Sequence, residues 1–270
     1  MAPGHPVDDM ANGFRLFGCA ILLLGACGKP APLDTLARGE TGRVVRIIDG
    51  DALVLDTGLS VRLVGIEAPV PERRDREGQP FADEAKRMLE DMALGRQVRL
   101  IYPGVTRDRY DRALAYVRTD DGLGPELWLN EEMVRLGGAR ARVYPDTSRL
   151  GDLLVGLETQ ARNSGKGMWA MAAWAIRDAG EFGPEARGFH ILTGRLGALE
   201  QASDEDAHCT RSLAGSAIRV NFLSDAAPAC DFENSSDWHI GARVQLRGWL
   251  NEGQLEVSHV FNAERLGADQ

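Results

Sequence analysis

Between Arg43 and Pro69 the chain reads RVVRIIDGDALVLDTGLSVRLVGIEAP, and no other stretch limits the fold as much. Val44, Val45, Ile47 and Ile48 form a β-branched run that Asp49-Gly50-Asp51 interrupts. Leu53 to Leu55 resume it, Asp56-Thr57-Gly58 interrupts again, and Val61, Leu63, Val64 and Ile66 finish a third strand. Asp-Gly between apolar runs is a hairpin signal, and alone it signals a turn and nothing more. Two charges stand out against this background: Arg62 inside an apolar strand and Glu67 just before Pro69. Both belong at the ends of neighbouring strands.

The length of 270 residues favours two domains over one, and the net charge of -9 is unevenly spread. Residues 1–40 and 41–170 each carry a net -1, and residues 171–270 carry -7. The last segment therefore repels a polyanion, and any phosphate-binding site belongs in the middle segment. No repeat, Walker-type loop, zinc spacing or Ser/His/Asp arrangement is present in the sequence.

Phe14-Arg15 precedes an apolar run from Leu16 to Leu24, followed by Leu24-Gly25-Ala26-Cys27. That run is too short to span a membrane and has the form of an export signal. The Leu-Gly-Ala-Cys ending resembles a bacterial lipobox. It implies a lipidated Cys27, with residues 28–40 as a tether and the protein held in the cell envelope, facing the periplasm. The alternative is an ordinary signal with an incidental cysteine. In an exported chain the remaining Cys209 and Cys230 are expected to form a disulfide, with two free thiols as the alternative.

The hydrophobic spacing predicts a helix over Phe81 to Leu94, a strand over Gln97 to Tyr102 and another over Ala113 to Val117. Further helices are expected over Leu127 to Leu136 and Leu150 to Ala161. The expected fold is mostly β with helices (α+β), its first domain a five-stranded OB-type barrel over residues 41–170. Residues 171–185 read as a connector. Residues 186–266 read as a second small OB-like β domain, with strands over Gly188 to Leu196, Ala217 to Leu223, Arg243 to Leu250 and Gln254 to Phe261. The stretch from Ala202 to Trp238 reads as an acidic loop.

IDGDALVL, VRLVGIEAP and RDRYDRALAY, in that order, resemble the staphylococcal nuclease family, and WLNEEMVRLGGARARVYP and Met168-Trp169 extend the likeness. The resemblance implies a Ca²⁺-dependent phosphodiesterase acting on single-stranded or denatured nucleic acid through residues 41–170. It makes Asp51, Glu67 and the Ala68 carbonyl the Ca²⁺ ligands, and Arg62 and Arg112 the phosphate grip. Asp108 and Tyr110 match positions near the site, and Asp49 reads as a turn residue.

Two departures bear on the chemistry. Where the family has Asp-Thr-Pro-Glu, this chain has Glu67-Ala68-Pro69-Val70, so the carboxylate that activates the attacking water is a valine, and the cation-binding aspartate is lengthened to Glu67 with the threonine hydroxyl gone. A general base supplies roughly 10²–10⁴-fold. Glu72 either reaches back into the site or is a solvated neighbour of Arg73 and Arg74. Arg73, Arg74 and Arg76 either steer a polyanion or form a screened loop with Asp75 and Glu77. The competing reading is a catalytically degenerate binding or envelope-scaffold protein; a third is a nuclease whose acidic second domain docks a protein partner.

Overall fold

A computed structural model describes Met1, residues 32–74, 77–203, 208–223, Ala226, Cys230 and 238–267. Cys27 with the apolar run before it, and Arg76, lie outside the described residues. The long strand β1 (Ala37–Asp49) turns through Gly50-Asp51 into β2 (Ala52–Leu55), and β3 (Ser60–Leu63) follows. The short β4 (Ile66–Glu67) leads towards helix α1 (Ala82–Ala93). Strands β5 (Gln97–Tyr102) and β6 (Ala113–Thr119) complete a closed barrel in the order β1-β2-β3-β6-β5. The β3–β6 pair is parallel and the other ladders of the ring are antiparallel.

Inside the ring Val44, Leu53, Leu55, Leu63, Leu100 and Val117 are fully buried. Helix α1 closes one end with Ala85 and Leu89 inward. Gly50 is dictated by this closure. A Cβ there would sit 2.6 Å from Ala68 Cβ and 2.9 Å from Ala85 Cβ, so only a glycine lets the turn, the Ala68 segment and α1 meet. Helix α2 (Leu129–Arg135), the two-residue strand β7 (Arg140–Ala141) and helix α3 (Gly151–Asn163) pack beside the ring. β7 pairs with β4, setting Glu67 opposite Arg140.

Residues 32–40 depart from the tether reading. Leu33 and Leu36 are buried in the barrel core and β1 already begins at Ala37. The connector is also partly structured: β8 (Arg177–Asp178) pairs in parallel with the next strand, and Ala179 and Phe182 enter the second core.

The second ring comprises β9 (Gly188–Ser203), β10 (His208–Leu213), β11 (Arg219–Phe222), β12 (Arg243–Asn251) and β13 (Gln254–Val257). Their order is β9-β10-β11-β13-β12, closed by β12 pairing back onto β9, with β11–β13 parallel. Third and fifth strands are thus parallel in both rings, the OB-type arrangement expected for each. A short β14 (Ala263–Arg265) adds to the β12 edge. Between β12 and β13, Glu252 and Gly253 both have positive φ, the backbone of a tight two-residue hairpin.

Strand β10 corrects the loop reading of 202–238. Cys209 is fully buried within it and is bridged to Cys230, so the disulfide fastens a strand with a core of its own. The rings are joined through a buried carboxylate: Glu158 on α3 accepts Arg247 Nη1 from β12 at 2.6 and 2.7 Å. It also accepts the Ala141 N–H at 2.8 Å and Arg162 Nη1 at 2.9 Å.

Candidate phosphate-binding cleft

At the mouth of the first ring lies a cleft of about 470 Å³, and the β-turns and strand ends decide what lines it. Asp51 sits at the start of β2 and is almost fully buried. One carboxylate oxygen, Oδ2, accepts the Ala68 N–H at 2.6 Å, and Oδ1 is ion-paired with the Arg62 guanidinium. Arg62 also donates to the Ile66 carbonyl at 3.3 Å. Burial pulls the Arg62 guanidinium below its ordinary value, against Glu67 and Asp49.

Glu67 is held from the other side. Arg140 donates to Oε2 through Nε at 3.0 Å and Nη2 at 2.6 Å, and Arg142 donates to Oε1. Burial pushes the Glu67 carboxyl up, but Arg140 and Arg142 outweigh it and leave the group below its ordinary value. Arg112 grips Asp108 instead, with both Nε and Nη2 at 2.7 Å from Oδ2, while its guanidinium lines the same cleft. Asp49 also lines it, and burial raises its carboxyl against the pull of Arg62, Arg73 and Arg112.

The cleft thus brings together Asp51, Arg62, Glu67, Ala68, Arg73 and Arg112, all singled out in the sequence. It does not include Glu72, Arg74 or Tyr110. Val70 and Gln79 tie the intervening loop at its base by reciprocal bonds of 2.8 Å, and Glu72 turns outward against Gly78, exposed with Arg74. Val70 itself forms part of the cleft wall. Tyr110 is 67% exposed and lies over Arg109 and Arg112 on the outer side.

Arg140 and Arg142 were not anticipated. Their signal was the alternation Arg140-Ala141-Arg142 within GARARVYP, since residues two apart in a strand share a face. Both guanidiniums lie over aromatic rings: Arg140 over Phe189 and Trp174, Arg142 over Tyr144, Phe189 and Trp249.

The donor set does not fit a hard dication as it stands. All four oxygens of Asp51 and Glu67 are already taken by N–H donors. Among the described residues no three His, Cys, Asp or Glu side chains converge as metal ligands. What the cleft does present is guanidinium: Arg62, Arg73, Arg112 and Arg142 face one cavity, a planar-fork chemistry matched to phosphate oxygens.

Comparisons with known proteins bear on the family of the chain. The family model described as staphylococcal nuclease homologue matches residues 60–171. A thermonuclease of Staphylococcus intermedius is 31% identical over 171 residues, 60% of this chain and 99% of the relative. The thermonuclease of Staphylococcus hyicus is 31% identical over 50% of this chain and 78% of the relative. The chain belongs to the staphylococcal nuclease family. An uncharacterized endonuclease of Escherichia coli O157:H7, 33% identical over 48% of this chain and 78% of its own length, adds to that assignment. Membership in the staphylococcal nuclease family supports a nuclease-like function.

Proposed function

We propose that this chain binds single-stranded nucleic acid by its phosphodiester in the arginine-lined cleft and cleaves it slowly at best. One observation supports the reading: both carboxylates that would hold Ca²⁺ are engaged by arginine; by the motif resemblance Val70 takes the place of the water-activating acid. Loss of that base removes about 10²–10⁴-fold, so grip outlasts turnover. Arg62, Arg73 and Arg112 offer fixed donors to the phosphate oxygens, and such charge-assisted bonds are the strong ones.

The test uses denatured DNA with Ca²⁺ or with chelator. Wild type is expected to bind in chelator and to cleave little in either condition. Arg112→Ala is expected to weaken binding by about 10-fold or more. The double variant Glu67→Asp/Val70→Glu, which restores the family's acids, should raise Ca²⁺-dependent cleavage by about 10² or more. Strong Ca²⁺-dependent cleavage by wild type, not raised in the double variant, would refute slow turnover and support a working nuclease.

The lipobox-like Leu24-Gly25-Ala26-Cys27 supports a further part of the proposal, a lipid on Cys27 and a place in the bacterial envelope. Mass spectrometry of the membrane-extracted chain should show an acylated N-terminal cysteine. An unmodified Cys27 would reject the anchor.

A further inference from the structure

A second groove, of about 390 Å³, opens between the two rings. Its walls come from both: Trp169 and Trp174 lie after α3, and Phe182, Phe189 and His190 lie at the start of the second ring. Phe182 and His190 meet edge to face at 5.0 Å. Arg140 also lines it, 5.4 Å from the Trp174 ring centroid and 4.7 Å from that of Phe189.

Two contacts make this groove continuous with the cleft. Arg140 lines the groove while its guanidinium holds Glu67 of the cleft. Gln79 lines the groove while its side chain accepts the Val70 N–H of the cleft wall. Trp174 is only half-buried at the groove wall, its indole N–H donating to the Pro80 carbonyl at 3.1 Å, which fixes the ring in place. An aromatic wall with a stacked guanidinium, continuous with a phosphate-binding cleft, suits one kind of occupant, a flat heteroaromatic ring.

We infer that the groove between the rings, through the half-buried Trp174 and the Arg140 guanidinium beside it, takes a nucleobase of the strand whose phosphodiester lies in the cleft. This rests on the function proposed above. The cleft contributes charge and the groove contributes stacking. The second ring is then part of the binding surface despite its acid excess, because the side it turns to the groove is aromatic and lies beside Arg140 and Arg177.

The test compares two labelled ligands in chelator: an oligothymidylate of about eight residues and an abasic phosphodiester of the same length. Trp174→Leu should weaken thymidylate binding about 5- to 150-fold and leave abasic binding in place. Trp174→Phe, which keeps a ring, should recover most of the thymidylate affinity. Equal weakening for both ligands, or weakening for neither, would overturn the base site. Arg112→Ala reports on the cleft separately: it should weaken both ligands. If it weakens neither while Trp174→Leu remains base-selective, the cleft reading fails and the base site stands.

Discussion

Glu67 shows how one side chain sets the character of a site. A longer carboxylate at this position reaches two guanidiniums, on Arg140 and Arg142, and spends its oxygens there. Its folded-state value is depressed, chiefly because the two arginines overcome the rise due to burial. A depressed carboxyl adds stability that is full above its unfolded value, 4.5, and is lost as pH falls through the folded value. Thermal unfolding of wild type and Glu67→Gln should therefore differ most from neutrality down to about pH 5 and converge in stronger acid. A difference that is constant from pH 7 to 3 would show that Glu67 carries no such linkage. At this scale much of the site could be read from the sequence: Asp51, Arg62, Arg73 and Arg112 do converge. Glu72 could not be placed, because its outward turn depends on the Val70–Gln79 tie and on Gly78.

Helix α3 and strand β10 carry the elements the sequence hid. On α3, Leu154, Glu158 and Ala161 share a buried face, and a glutamate in that row looks misplaced until Arg247 is supplied from 89 residues downstream. Glu158→Ala would leave Arg247 buried and unpaired, and should cost about 3–5 kcal/mol in urea denaturation. The double replacement Glu158→Leu/Arg247→Met should cost far less, since burying a pair costs desolvation that an apolar pair avoids. Equal losses would mean the pair is not coupled. Strand β10 escaped notice for a related reason. Its inward positions are Cys209, Arg211 and Leu213, and a buried arginine breaks the apolar alternation that marks a strand. Arg211 is accommodated by the Trp238 carbonyl at 2.6 Å and the Gly197 carbonyl at 2.9 Å, neither foreseeable locally.

For the molecule as a whole, the disulfide gives a stability prediction. Cys209 and Cys230 are 21 residues apart, and closing a loop of that length is worth about 3 kcal/mol in the chain-entropy account. Cys209→Ala/Cys230→Ala should lower the urea midpoint accordingly, and reduced wild type should behave likewise. No change on either treatment would show that the bridge contributes nothing. The bulk of both rings was legible because their strands alternate cleanly, as in β13, where Leu255 and Val257 are buried between exposed Gln254 and Glu256. How the rings meet was not legible, because it depends on Glu158–Arg247 and on arginines stacked against aromatics far away in sequence.

The parallel pairs have a consequence for how the chain assembles. Val61 must find Ala113, and Arg219 must find Gln254, with a further strand of the same ring threaded in between each time. Neither ring can zip up from one end; each also needs the still more distant β1–β5 or β9–β12 ladder to close, which makes refolding slow for a chain of this size. Until those late partners arrive, both sheets stand open with bare edges, and crowded refolding is when one copy would mispair with another.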